Sequence, residues 1–147
     1  HKIEGINSRL DGIQAAILSV KLRYILKWTD LRIQYAEYYK ELLRGIEYLV
    51  TPVTHQDAKH VFHLYVIRSL RRSELQSYLK NNGISTGIHY PTALPFLKAY
   101  DYLGHKQEDF PITYNYQNEI ISLPMFPELN YEKIQYICKK IVEFYKL

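Results

Sequence analysis

Cysteine is almost missing: Cys138 is the only one in 147 residues. An intrachain disulfide is therefore excluded, and a reducing, cytoplasmic setting is the expected one. Cys138 lies in the helical run Tyr136-Ile137-Cys138-Lys139-Lys140, and no motif places a base beside it, so no nucleophilic role is expected. No run approaches the roughly 18 apolar residues of a membrane span. No apolar leader opens the sequence, which starts His1-Lys2-Ile3 without a methionine, so a preceding segment is expected. Metal-ligand spacing is absent too. His60 and His63 stand three apart on a predicted strand and face opposite sides, while His55 and His105 fall in polar loops, so no metal site is expected. Internal repeats and low-complexity tracts are also lacking.

What is present suffices for one folded domain. Hydrophobic residues make up 47% and charged residues 23%. The net charge of +4 permits an anionic partner such as a nucleotide, a phosphate or RNA. The basic residues are dispersed, however. Their densest spot, Arg68 with Arg71 and Arg72, is followed directly by Glu74. Without a clustered basic face interleaved with aromatics, no nucleic-acid partner is expected. Most of the 15 tyrosines occupy helical positions, where packing is their expected role.

Periodicity predicts a long helix over residues 10–44, with Ile13, Ala16, Ile17, Val20 and Tyr24 on one stripe and Leu31, Tyr35 and Leu42 continuing it. A helix of that length exceeds what a small domain needs for its own core. It is expected to link two domains or to face a partner subunit. Gly45 and Pro52 mark its end. Alternation predicts a strand over 60–69, followed by a helix over 72–82 that stops at Asn81-Asn82-Gly83. A short strand over 84–89, a loop with a short helix over 92–103, and a helix beginning near Pro111 come next. A strand over 120–123 ends at Pro124. Asn130 caps a final helix whose buried side carries Tyr131, Ile134, Ile137, Ile141 and Phe144. The order predicts an α/β chain of α+β type: a long helix, a small, mainly antiparallel sheet, and helices packed on one face.

Four stretches together resemble the C-terminal third of the DegT/DnrJ/EryC1/StrS sugar aminotransferases. They are Gly5-Ile6-Asn7-Ser8-Arg9-Leu10-Asp11 with Gln14 to Leu18; Trp28 with Arg32, Ala36 and Tyr39; Gly83-Ile84-Ser85-Thr86-Gly87-Ile88-His89-Tyr90-Pro91; and Ser122-Leu123-Pro124-Met125-Phe126-Pro127-Glu128-Leu129. They stand in the family's order and span nearly the whole chain. The resemblance implies the C-terminal domain of a type I fold dependent on pyridoxal 5'-phosphate (PLP). It implies a homodimer with shared active sites. It also implies amino transfer from a donor such as glutamate to a keto group of a nucleotide-linked sugar. Residues 1–50 are then the helix leading from a cofactor-binding large domain, and residues 51–147 the small α+β domain.

The resemblance also assigns residues. Asn7 matches an asparagine that reaches across the dimer to the cofactor phosphate, a contact its amide NH2 suits. Asn7 and Ser8 also fit an ordinary helix N-cap, and the two roles are compatible. Arg9 pairs with a carboxylate or phosphate, or else anchors the helix start. His89 and Tyr90 match positions lining the sugar-nucleotide pocket; either also suits a domain interface. The lysine that forms a Schiff base with PLP lies upstream of Gly5 to Arg9 in the family, and Lys2 is too near that motif to be it. These 147 residues alone are therefore expected to be inactive. Two alternatives stay open: a sugar dehydratase on the same scaffold, and a non-catalytic binding or dimerisation module.

Overall fold

The computed structural model describes residues 2–146. The predicted long helix is two helices: α1 spans Gly12–Leu22 and α2 spans Ile25–Leu42. A turn at Arg23 and Tyr24 separates them, closed by the Tyr24 amide on the Lys21 carbonyl at 3.0 Å. The side chain of Asp11 caps α1, accepting from the Gln14 amide at 2.8 Å. Asn7 and Ser8 therefore stand too far upstream to be the helix cap. The two helices differ in packing. α1 buries no residue, and Ile13, Ile17 and Val20 stay exposed. α2 buries Tyr35, Ala36 and Tyr39.

Gly45, at φ 81°, turns the chain away after α2, a conformation that glycine adopts without a Cβ penalty. β1 (Leu49–Val50) follows, then β2 (Tyr65–Ser69), α3 (Arg72–Asn81), α4 (Pro111–Tyr116), β3 (Ile120–Leu123) and α5 (Tyr131–Lys146). Pro111 opens α4 at a position where its missing N–H costs nothing. The side chain of Asn130 accepts from the Lys133 amide at 2.9 Å, as expected of an N-cap.

The sheet is antiparallel throughout, in the order β1-β2-β3, with Leu49 opposite Ser69 and Ile67 opposite Ile121. Two strands depart from expectation. The strand predicted over 60–69 begins only at Tyr65, because Phe62 sits at φ 46° and breaks the extended run. The kink still buries Phe62, whose ring centroid lies 6.0 Å from that of Tyr65. The strand predicted over 84–89 reduces to a single bridge, Gly87 with Ser122.

One core joins α2, α3, α5 and the inner face of the sheet. Ile134, Ile137, Ile141 and Phe144 recur along α5 at helical spacing and are all buried. Each such side chain contributes about 1.5–3 kcal/mol relative to exposure. Tyr35 and Tyr38 of α2 meet Tyr131 of α5 edge-on, at 5.6 and 5.0 Å between centroids. Cys138 is buried in this core, and desolvation pushes its thiol up to about 12. Loop 51–64 is held to α2 by Arg32, whose Nε donates to the Val61 carbonyl at 3.4 Å, and by Lys59 near Asp30. No described helix is long and apolar enough to cross a membrane.

Candidate functional site

β3 buries both of its faces, which is unusual for so small a sheet. Ile121 and Leu123 point into the core, and alternation sends Ser122 to the other face, where it is only 4% exposed. Gly87 pairs with Ser122 through both backbone bonds, at 2.7 and 3.1 Å. The chain then brings His89 back over this bridge. Its Nδ1 lies 2.9 Å from Ser122 Oγ. Tyr90 follows, 72% exposed, its ring edge-on to His89 at 5.6 Å.

His89 and Tyr90 stand at a cavity of about 560 Å³ whose other walls include Ala93, Phe110, Tyr116 and Gln117. The lining is mainly apolar, with a few polar groups and no carboxylate, which suits an organic ligand oriented by a small number of hydrogen bonds. Gln117 Oε1 accepts from the Ala93 amide at 2.8 Å and ties the loop after Pro91 to the end of α4. Behind the wall, the Arg68 guanidinium lies 3.9 Å from the Tyr116 ring centroid. Arg68 also donates to Glu119 Oε2 at 2.9 Å, in a half-buried ion pair. A cluster of Phe96, Phe110, Tyr114 and His105 braces the far side of the loop.

Asn7 and Arg9 lie elsewhere, on the exposed segment before α1, and neither lines this cavity. Asn7 Oδ1 accepts from the Arg9 amide at 3.0 Å, and Arg9 takes φ 66°. The Asn7 Nδ2 group has no acceptor among the described residues. The segment touches the loop flanking the cavity at one point: Tyr102 donates to Glu4 Oε1 at 3.0 Å, and that carboxylate raises the phenol's pKa. The structure thus brings His89 and Tyr90 together and keeps Asn7 with Arg9 as a separate pair. Among the described residues, no group of three or more His, Cys, Asp or Glu is placed to hold a metal ion.

Sequence reasoning assigned no role to Ser122, Gly87, Gln117 or Arg68. Gly87 and Ser122 were visible as parts of two quoted stretches. Their pairing across 35 residues carried no signal in either stretch alone.

The fold has close counterparts. A pleiotropic regulatory protein of Geobacillus stearothermophilus is 44% identical over 148 residues, covering 99% of this chain and 40% of that protein. The dTDP-3-amino-3,6-dideoxy-alpha-D-galactopyranose transaminase of Aneurinibacillus thermoaerophilus is 38% identical over 138 residues, covering 94% of this chain and 37% of that protein. Among solved structures, S. venezuelae DesV in complex with a ketimine intermediate matches with a TM-score of 0.90 at 32% identity, covering 100% of this chain and 40% of that one. The chain therefore spans about 40% of the length of the relatives it matches. With the family profile matched over residues 1–142, this chain belongs to the DegT/DnrJ/EryC1/StrS aminotransferase family.

Proposed function

We propose that the full-length protein carrying this chain is a PLP-dependent aminotransferase. It moves an amino group from glutamate, or a similar donor, to a keto group of a nucleotide-linked sugar. The observation behind this is the cavity headed by His89 and Tyr90, in a chain whose relatives include nucleotide-sugar transaminases. A roomy, mostly apolar pocket with a few hydrogen-bonding groups fits a sugar ring and its linked nucleotide better than a small amino acid.

The residues present fit the cofactor's phosphate end. Asn7 has its Oδ1 engaged by the Arg9 amide, which turns the amide group and leaves Nδ2 as a donor. Arg9 adds a permanent positive charge two residues on. When bound, PLP supplies the electron sink that lets nitrogen pass between donor and acceptor. Asn7 would hold the phosphate of PLP bound to a neighbouring subunit, in a homodimer with shared sites. His89 donates to an oxygen of the sugar or diphosphate, and Tyr90 offers its ring face and hydroxyl. Residues 1–50 lead in from the cofactor-binding domain, and the exposed apolar stripe of α1 packs against it or against the second subunit. In this reading the lysine that anchors PLP lies upstream of the Gly5 to Arg9 stretch. The setting is cytoplasmic.

The test uses the full-length protein, PLP and glutamate. Release of 2-oxoglutarate, with bleaching of the cofactor's visible band, is expected. Cofactor that cannot be trapped by borohydride, with no 2-oxoglutarate formed, overturns the proposal. Untrapped cofactor is the outcome expected of a dehydratase on the same scaffold, in which a histidine replaces the lysine, whereas trapped cofactor without 2-oxoglutarate excludes glutamate as the donor.

A further inference from the structure

Ser122 is a buried polar side chain on a strand otherwise given to packing. Its backbone N–H and carbonyl are both engaged by Gly87. Its hydroxyl has one hydrogen-bond partner among the described residues, His89 Nδ1 at 2.9 Å. A hydroxyl carries one proton to donate. If Nδ1 kept its own proton, the Ser122 proton would be left buried without an acceptor, which is unfavourable. The geometry favours a hydroxyl that donates to Nδ1, which places the ring proton on Nε2.

Gly87 supplies the second half of the arrangement. A Cβ there would come within 2.6 Å of His89 Cε1 and within 3.4 Å of both ring nitrogens. Unlike Gly45, Gly83 and Gly104, Gly87 is not at positive φ. Its backbone is open to other residues, and the conflict is with the ring alone. The imidazole lies on a bare Cα because nothing larger fits beneath it.

We propose that Ser122 and Gly87 are positioning residues that fix His89 in its Nε2–H form, so that it presents a hydrogen-bond donor to an acceptor oxygen of the bound nucleotide sugar. This rests on His89 being a substrate contact, as proposed above. Ser122 sets the tautomer and the ring's direction. Gly87 sets its depth. Neither needs to touch the ligand.

The experiment uses the full-length protein labelled with 15N-histidine. The His89 signals are assigned by their loss in His89→Gln. Long-range proton–nitrogen spectra then report which ring nitrogen is protonated. Binding of dTDP-glucose and of UDP-N-acetylglucosamine is measured by calorimetry, and the tighter probe is carried through the variants. The wild type is expected to show protonated Nε2. Ser122→Ala and Gly87→Ala are each expected to give mixed tautomers and about tenfold weaker binding. Native-like amide spectra of each variant separate a local change at His89 from a fold defect, and Gly87→Ala leaves the Ser122 hydroxyl in place. Protonated Nδ1 in the wild type overturns the inference. So do unchanged tautomer and affinity in both variants while His89→Ala, which removes the donor, weakens binding. If the wild type binds neither probe, or if His89→Ala binds as well as the wild type, it is the substrate-contact role of His89 that fails. The tautomer spectra still judge the Ser122–His89 arrangement in that case.

Discussion

Tyr39 and Tyr65 offer a controlled pair for asking what a buried hydroxyl is worth in this fold. Their rings stack at 4.9 Å between centroids and 22° between planes, and both residues are fully buried. Tyr39 Oη donates to the Pro124 carbonyl at 3.0 Å, bridging α2 to the loop after β3. Tyr65 Oη is buried with no hydrogen-bond partner among the described residues. Replacing either residue by phenylalanine removes one oxygen and keeps the same stacked ring. Tyr39→Phe loses a hydrogen bond and leaves a carbonyl short of its donor, a cost of about 1–2 kcal/mol. Tyr65→Phe removes a desolvated, unpaired hydroxyl, so it is neutral or stabilises by up to about 1 kcal/mol. The assay is native-state hydrogen exchange at the amides of α2 and β2 in the full-length protein. Tyr39→Phe is expected to speed exchange about five- to thirtyfold. Tyr65→Phe is expected to leave it unchanged or slow it. Equal acceleration in the two variants, or a larger effect at Tyr65, would refute the reasoning.

Three further outcomes are expected. Alkali destabilises the fold through its buried acids. Burial pushes the Tyr39 and Tyr65 phenols well above their ordinary value and the Cys138 thiol up to about 12. The folded state therefore holds these protons more tightly than the unfolded one. Their contribution is complete below the ordinary values, near 9 for the thiol and 10 for the phenols, and is lost as pH rises through them. Thermal melts of wild type and Cys138→Ala between about pH 8 and pH 11 should differ by a constant offset below the ordinary thiol value and by a shrinking one above it. Glu119→Gln leaves the half-buried Arg68 with a weaker partner behind Tyr116. It should loosen α4 by about 1–2 kcal/mol, read as faster exchange at its amides. Asn7→Ala should weaken PLP retention by about tenfold or more in equilibrium dialysis, the loss of one hydrogen bond to a charged group.

The elements that the sequence made legible are those whose periodicity is uninterrupted. α5 is the clearest: its isoleucines recur on one face and Asn130 announces its start. α3 and β3 were legible for the same reason, bounded by Asn82-Gly83 and by Pro124. Where the prediction failed, a single backbone event intervened without changing composition. The turn at Arg23 and Tyr24 splits the long helix with no proline or glycine to mark it. Phe62, at positive φ, shortens β2 although a bulky aromatic is a good strand residue. β1 has only two residues, too short for alternation to register.

The candidate site was legible in a different way. His89 and Tyr90 stood out because a recognisable stretch contained them, and the structure does set them at one cavity. What orients them was hidden, because it depends on a contact between chain segments 33 residues apart. A serine between two apolar residues on a strand reads as a minor flaw in a core pattern. A glycine two residues before a histidine reads as flexibility. Only the fold shows that the serine faces away from the core and that the glycine is the floor under the imidazole. Both oddities meet at one ring, the His89 imidazole, which contacts Ser122 and rests on Gly87. The two breaks in the packing pattern thus coincide at the side chain for which a substrate contact is proposed.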